Sequence, residues 1–197
     1  MNQCPPLIFA TGNAGKIKEV QQLLEGLLQV ISMREAGFSE EIPEPYDTLE
    51  ANAGIKSATI FNRTGLHCFS EDTGLFVETL KGAPGVKSAR YAGEQASNQD
   101  NIRKLLTDMQ GKSNRKAAFR TIISLRWNGH EYLFEGVCKG TLLENPRGEQ
   151  GFGYDAIFVP EGSDKSFAEM DMTTKNLFSH RKKAVHQLIQ FLQTQIA

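Results

Sequence analysis

The sequence has 197 residues, 40% of them hydrophobic, and a formal net charge of -1. A chain of this length and composition can bury the core of one domain, so we expect a single domain over residues 1–197. The near-neutral charge argues against electrostatic binding to nucleic acid or to an anionic membrane, although it leaves room for a small basic pocket.

The first third of the chain predicts strands that alternate with helices. Apolar residues recur at helical spacing in residues 16–28, which predicts an amphipathic helix. Asp47, followed by Glu50 three residues on, predicts a capping box for the next helix, and Gly65 suits the end of that helix. In chain order, the predicted elements are a strand over 7–11, the helix over 16–28, a strand over 29–33, an acidic loop over 35–47 and a helix over about 48–62.

The middle of the chain predicts a broken strand and a capped helix. Residues 66–80 hold two apolar runs, which the polar sequence SEDTG at 70–74 divides. We therefore expect two strand segments, with a sharp turn that Gly74 allows. Ser97 and Asp100 predict a second capping box, with a helix behind it.

From residue 116 onward the hydrophobic pattern has a period of two. The alternating runs flank Asn128-Gly129, which is a strong hairpin signal. Strands that alternate with helices, together with this hairpin, predict an α/β fold with a central mixed β-sheet flanked by helices, in which the hairpin could form a second lobe. The remaining predicted elements are a glycine-rich loop over 145–155, a strand over 156–160 and a helix from about Ser179.

Cysteine usage and hydropathy predict a cytoplasmic protein. Cys4, Cys68 and Cys138 are widely spaced and no C-x-x-C occurs, which is typical of reduced thiols. No apolar run approaches the ~18–20 residues that a membrane span needs. The first residues, MNQCPPLIFA, lack the basic segment and the long apolar run of a secretory signal.

The sequence IFATGNAGK at 8–16 leads from a strand into a helix through small and polar residues. It matches neither the Walker A nor the dinucleotide-binding spacing. Its geometry nevertheless points free backbone N–H groups and the helix dipole at one spot, which favours an anion. Lys16 adds a positive charge, whereas Thr11 and Asn13 add neutral hydrogen-bonding groups. The alternative is an ordinary strand–helix turn with a solvated lysine.

The adjacent acids Glu71 and Asp72 would point to opposite faces of a strand. Carboxylates at a strand end suit Mg²⁺, which commonly takes one or two of them together with substrate phosphates. The alternative is an acidic turn. Glu44, between two prolines in the acidic loop, is a weaker candidate of the same kind.

Two later segments could contact a nucleotide. Phe152 or Tyr154 in GFGYD could stack on a base, or both rings could belong to the core. The cations Lys175, His180 and Arg181 gather where the last helix starts and oppose its dipole, so a nearby anion or carbonyl-rich ligand would explain them. The alternative is a basic, solvated helix start.

Taken in order, these motifs resemble those of the non-canonical purine nucleoside triphosphate pyrophosphatases, also called the inosine triphosphatase-like or Ham1-like family. The resemblance implies an elongated two-lobed α/β protein with a cleft between the lobes, usually a homodimer. It also implies Mg²⁺-dependent hydrolysis of ITP, XTP and their deoxy forms to monophosphate and pyrophosphate. The matching motifs are TGNAGK (11–16), SEDTGL (70–75), GAPGVKSARYAGE (82–94), GFGYD (151–155) and SHR (179–181).

The resemblance also implies roles for single residues. Asp72 would bind Mg²⁺ and assist deprotonation of the attacking water, and Glu44 would be a second metal ligand. Two positions depart from the family: Glu71 stands where many bacterial members have an aspartate, and Ala51 where many have a glutamate. The implied substrate-binding residues are Thr11, Gly12, Asn13, Ala14, Gly15 and Lys16 for the triphosphate, Lys56 and Thr73 beside it, Phe152, Gly153, Tyr154 and Asp155 for the base, and Lys175, His180 and Arg181 to complete the site.

Three other functions remain open at this point. The chain could hydrolyse another altered nucleotide, such as a modified pyrimidine triphosphate. It could be a catalytically silent nucleotide sensor that binds ITP and releases no pyrophosphate. It could also be an RNA-binding module that uses its basic C-terminal segment, although the near-neutral charge argues against this.

Overall fold

A computed structural model describes residues 6–24 and 29–196 of the chain. Within them, seven strands form one mixed β-sheet with flanking helices, which confirms the predicted α/β class. The strands are β1 (Leu7–Phe9), β2 (Val30–Ser32), β3 (Cys68–Val77), β4 (Pro84–Gly85), β5 (Lys116–Trp127), β6 (His130–Leu142) and β7 (Phe158–Pro160). The α-helices are α1 (Ala14–Leu24), α2 (Leu49–Thr64), α3 (Asn98–Asp108), α4 (Met172–Lys175) and α5 (His180–Ile196).

Strand β1 lies between two parallel neighbours. Leu7 pairs with Val30 of β2, and Ile8 pairs with Cys68 of β3. The order across the sheet is β2-β1-β3-β5-β6-β7, and β4 pairs with β3 outside this path. Strands β4 and β7 run antiparallel to β3 and β6 respectively. Parallel strands need crossover connections, and α1 and α2 supply them between β1, β2 and β3.

The chain forms two compact units. The first contains the described residues up to Asp72, residues Thr121–Gly136 and the described residues from Arg181 onward. The second contains Thr73–Arg120 and Val137–His180, so the chain passes from one unit to the other inside β3. The expectations of a single domain and of a cleft between two lobes stay predictions.

Strand β1 is buried on both faces in the first unit. Phe9 packs in one apolar cluster with Val20 of α1 and Leu188 of α5, whereas Ile8 packs in another with Ile60 of α2. Alternation along the strand separates these two clusters. This burial explains why the segment is apolar throughout, and it fixes the point at which the polar loop after β1 begins.

The second unit has its own aromatic core. Phe119 lies with its ring centre 4.7 Å from that of Phe158, in an edge-on arrangement, and 6.1 Å from that of Phe167. Tyr154, from the predicted glycine-rich loop, belongs to the same cluster. Tyr154 therefore anchors the C-terminal end of this loop in the core.

Two helix boundaries differ from the sequence prediction. Helix α1 starts at Ala14 rather than at residue 16, and the predicted segment 25–28 lies outside the described residues. The cap of α2 is Thr48, not Asp47, because the Thr48 hydroxyl accepts a hydrogen bond from the Ala51 amide at 3.2 Å. Gly65 ends α2 in the left-handed conformation, with φ of 65°, as predicted.

The other turn signals are confirmed. Ser97 and Asp100 form the expected capping box of α3. Asn128 and Gly129, with φ of 50° and 80°, join β5 to β6 as the predicted hairpin.

Strand β3 runs unbroken through SEDTG, so the predicted turn at Gly74 is wrong. The glycine instead allows the close approach of β4. A Cβ atom on Gly74 would lie 2.5 Å from the carbonyl oxygen of Gly85. The strand therefore carries Glu71 and Asp72 in regular alternation rather than in a turn.

Two of the three cysteines lie within the described residues. Cys68 and Cys138 are buried free thiols, and Cys4 lies outside the described residues. Burial raises the pKa of Cys68 to about 12, so this thiol stays protonated at neutral pH. No helix in the described part of the chain is long and apolar enough to cross a membrane.

Replacing Gly74 with alanine tests the packing of β4 on β3. We expect Gly74→Ala to lower the free energy of unfolding by about 1–3 kcal/mol, because the new methyl group must displace the β4 backbone. Urea denaturation measures this change. Gly12→Ala is the control, since a Cβ atom there meets nothing within 4 Å. Equal stability of the two variants would contradict the packing argument.

Candidate active site

The loop after β1 is held by its own polar side chains. The Thr11 hydroxyl accepts a hydrogen bond from the Asn13 amide at 3.2 Å, and the Asn13 side chain accepts one from the Lys16 amide at 3.1 Å. Asn13 thus caps the first turn of α1. Gly12, Asn13 and Ala14 are exposed. The loop therefore presents the N-terminal end of a helix, the positive end of its dipole, at the surface.

Glu71 on β3 is fully buried and forms a bidentate pair with Arg181 at the start of α5. The Arg181 Nε and Nη2 atoms donate to the two carboxylate oxygens at 2.8 and 2.7 Å. The ammonium group of Lys16 lies 3.3 Å from the Glu71 Oε1 atom. One carboxylate thereby links β3 to both α1 and α5.

Arg181 also contacts Glu19 of α1 through its Nη1 atom. Burial alone would lower the pKa of Arg181, but the charges of Glu71 and Glu19 outweigh burial and hold this pKa above its ordinary value. The guanidinium is therefore permanently charged and engaged with two carboxylates. The sequence predicted that Arg181 binds substrate. In the structure, its guanidinium group pairs with Glu71 and Glu19.

Lys16 lies mostly buried beside this pair, with 14% of its side chain exposed. Burial lowers the pKa of Lys16, and the Glu71 charge opposes that shift. Lys16 still lies in the first turn of α1, two residues after the exposed Ala14. An anion at the start of α1 would therefore lie close to its ammonium group.

Asp72 and Glu44 converge on Lys56 of α2. The Lys56 ammonium hydrogen-bonds to the Glu44 carboxylate and to the Glu71 backbone carbonyl, the latter at 2.7 Å, and it lies 4.0 Å from the Asp72 Oδ1 atom. The side chains of Lys56 and Asp72 are nearly buried, whereas 26% of Glu44 is exposed. The sequence-predicted metal ligands are therefore brought together on one lysine.

The donor chemistry of this group is compatible with Mg²⁺. The described residues contain no cluster of three or more His, Cys, Asp or Glu side chains that could hold a metal ion. Mg²⁺ is commonly held by only one or two carboxylates, with substrate phosphates and water completing the shell. Asp72 and Glu44 supply such a pair.

The second unit contains a separate buried ion pair between Asp155 and Lys175. The Lys175 ammonium donates to the Asp155 Oδ2 atom at 2.7 Å, and the Phe152 amide donates to the same oxygen at 2.9 Å. Lys175 Nζ also lies 5.5 Å from the centre of the Phe152 ring. Gly151 is required here, because a Cβ atom would lie 2.1 Å from the Asp155 carboxylate. Asp155 therefore fixes the loop and the lysine together.

The two aromatic rings of GFGYD have different surroundings. Tyr154 is 4% exposed, and its hydroxyl donates to the Ser88 carbonyl at 2.8 Å. Phe152 is only half-buried. The core interpretation thus holds for Tyr154, and Phe152 is the ring that a base could reach.

Each unit holds part of the predicted set. His180 is buried against Phe119, with ring centres 4.7 Å apart, and Thr73 is half-buried beside Asp72. In the first unit are residues 11–16, Glu44, Lys56, Asp72 and Arg181; in the second are Thr73, residues 152–155, Lys175 and His180.

Sequence reasoning missed Glu19. It is 4% exposed and contacts Arg181, which lies 162 residues away along the chain. No local signal marks it, because a glutamate in an amphipathic helix is ordinarily exposed.

Comparison with known proteins gives a consistent result. A family model described as the Ham1 family matches residues 7–191. A dITP/XTP pyrophosphatase of Flavobacterium psychrophilum is 46% identical over 187 residues, which cover 95% of this chain and 98% of that protein. One from Porphyromonas gingivalis is 49% identical over 187 residues, covering 94% and 96% respectively.

Solved structures agree with these sequence matches. The Staphylococcus aureus Ham1 protein superposes with a TM-score of 0.87 at 34% identity and covers 96% of this chain and 99% of its own. A HAM1 protein from Coxiella burnetii superposes with a TM-score of 0.88 at 35% identity, covering 96% and 98%.

Removing the buried guanidinium tests the network around Glu71. We expect Arg181→Met to lower the free energy of unfolding by about 3–5 kcal/mol, because two buried carboxylates lose a cation that both contact. Chemical denaturation measures the loss. Arg63→Met is the matched control, since Arg63 pairs with Glu40 at 3.0 Å on the surface and should contribute about 0–1 kcal/mol. Similar losses in both variants would refute the assignment.

Proposed function

Because the chain belongs to the Ham1 family, we propose that it is a nucleoside triphosphate pyrophosphohydrolase. Its substrates would be ITP, dITP and XTP, and its products the monophosphate and pyrophosphate. The observation that carries the proposal is the first unit's cluster, in which Asp72 lies beside Lys56 and Glu71 beside Lys16. In such a cluster, a carboxylate can orient the attacking water, and the nearby ammonium groups can bind the phosphate groups of the substrate.

The proposed reaction is attack of water on the α-phosphorus. The new bond joins the water oxygen to that phosphorus, and the bond to the bridging oxygen breaks as pyrophosphate leaves. Asp72 would orient the water and accept its proton, as a general base does. The Asp72 carboxylate is nearly buried and lies 4.0 Å from the Lys56 ammonium group, so its position beside the attacking water would be restrained.

The triphosphate needs positive charge near its oxygens. The exposed start of α1 offers backbone N–H groups, and Lys16 adds an ammonium group directly behind them. Preorganised donors of this kind stabilise the charge that develops as pyrophosphate leaves. Thr11 and Asn13 would act by holding the loop in shape.

Mg²⁺ is the proposed cofactor, with Glu44 and Asp72 as its protein ligands. Bound there, it would neutralise charge on the phosphate oxygens. The convergence of the two carboxylates supports this choice.

The GFGYD segment and Lys175 would recognise the base. The half-buried Phe152 ring offers a surface on which a purine can stack, and Lys175 offers a charged donor held by Asp155. Hypoxanthine and xanthine carry a 6-keto acceptor, whereas adenine carries a 6-amino donor. A buried donor that adenine leaves unpaired is a costly mismatch, so ATP should be a poor substrate.

Assembly and location complete the proposal. We infer a homodimer, since the motifs resemble a family whose members are usually homodimers. We infer a cytoplasmic location, since the cysteine usage is typical of reduced thiols. Sedimentation of the purified protein at about twice its chain mass would support the dimer.

Pyrophosphate release from ITP tests the function. We expect the wild-type protein with Mg²⁺ to release pyrophosphate from ITP, and we expect Asp72→Asn to lower the rate by about 100-fold or more, because the amide cannot accept the proton. Ion chromatography of the products measures both. Near-wild-type turnover in the variant would remove Asp72 from the mechanism.

Two controls make the assay specific. Asp164→Asn removes an exposed carboxylate of the second unit and should leave the rate unchanged. ATP in place of ITP should be hydrolysed much more slowly by the wild-type protein. Tight binding of ITP without pyrophosphate release would identify a sensor instead of an enzyme.

A further inference from the structure

Lys56 lies in the first unit among three oxygen groups. Its ammonium group hydrogen-bonds to the Glu44 carboxylate and to the Glu71 backbone carbonyl, and it lies 4.0 Å from the Asp72 carboxylate. Only 8% of the Lys56 side chain is exposed. The two carboxylates that it joins are the two proposed metal ligands.

A cation that lies beside two carboxylates stabilises their ionised forms in the absence of a metal. Two carboxylates at short range raise the free-energy cost of ionising each other, and burial raises that cost further. The ammonium of Lys56 supplies positive charge at the position where a divalent ion would bind the same two carboxylates. A metal ion that binds Glu44 and Asp72 must therefore replace or displace this contact.

We propose that Lys56 is the built-in counter-ion of the metal-ligand pair and that it weakens binding of the free metal ion. The metal would then enter chiefly with the substrate, whose phosphates add ligands and negative charge. This inference rests on the proposed function, because that function identifies Glu44 and Asp72 as metal ligands.

The structure also provides an anchor for Lys56 when the Glu44 contact opens. The Glu71 carbonyl accepts a hydrogen bond from Lys56 Nζ at 2.7 Å, independently of either carboxylate. The next residue, Ser57, fixes α2 to β5 through a 2.7 Å hydrogen bond with Ser124. The ammonium would thus stay close to the site and face the arriving phosphates.

Titration with Mn²⁺ in the absence of nucleotide tests the inference. The free ion is followed by electron paramagnetic resonance for the wild-type protein and for Lys56→Met. We expect the variant to bind Mn²⁺ about tenfold or more tightly, because a positive charge about 4 Å from a carboxylate ligand has been removed. A dissociation constant equal to or weaker than that of the wild type would overturn the proposal.

Three control variants make the result specific. Lys56→Arg keeps the charge and should bind Mn²⁺ like the wild type. Lys175→Met removes a similarly buried lysine that pairs with Asp155, and it should also leave Mn²⁺ binding unchanged. In the double variant Lys56→Met/Glu44→Gln, the gain in affinity should disappear. A gain that persists there would place the Mn²⁺ elsewhere and overturn the proposal.

Thermal unfolding gives a second readout. Without metal, Lys56→Met should unfold at a lower temperature than the wild type, and Mn²⁺ should raise its midpoint by more than it raises that of the wild type. Lys56→Gln, which keeps hydrogen-bonding capacity, replaces the methionine variant if the latter does not fold. The same upward shift in both proteins would count against the proposal.

A parallel assay separates this inference from the proposed function. If the wild-type protein releases no pyrophosphate from ITP, the function fails whatever the Mn²⁺ result. If the wild type hydrolyses ITP and Lys56→Met gains no Mn²⁺ affinity, only the counter-ion role fails.

Discussion

The ion pair between Glu71 and Arg181 is the interaction on which the site in the first unit depends. It joins β3 to the start of α5, and Arg181 extends it to Glu19 of α1. Charges buried this deeply are tolerated only when they are paired and hydrogen-bonded. The pairing therefore fixes three elements relative to one another, and Asp72 follows Glu71 directly on the fixed strand.

Charge balance divides the cluster into two parts. Glu19 and Glu71 pair with Arg181, and Glu71 also lies beside Lys16, so this part holds the buried strand and helices together. Glu44 and Asp72 both lie beside Lys56, whose ammonium group contacts the first and lies 4.0 Å from the second. The cluster thus combines a support of paired, buried charges with two carboxylates that meet at one lysine. That combination suits a site that binds a metal together with an anionic substrate.

The sequence predicted the parts of the molecule that local chemistry decides. The alternating strands and helices, the Asn128-Gly129 hairpin and the Ser97 capping box follow from spacing within a few residues, and each is confirmed. Gly74 was misjudged because its role, close contact with Gly85, comes from strand pairing. The cap of α2 differs by one residue, since Thr48 and Asp47 are both good capping residues. The partners of Arg181 were out of reach because they are 110 and 162 residues away along the chain.

Hydrolysis of ITP in ¹⁸O-labelled water tests the central claim most directly, since it reports which phosphorus the water attacks. If the cluster around Asp72 directs water to the α-phosphorus, the label will appear in the monophosphate and not in pyrophosphate. Mass spectrometry of the two products distinguishes these outcomes. Label in pyrophosphate, or release of orthophosphate in place of pyrophosphate, would contradict the account.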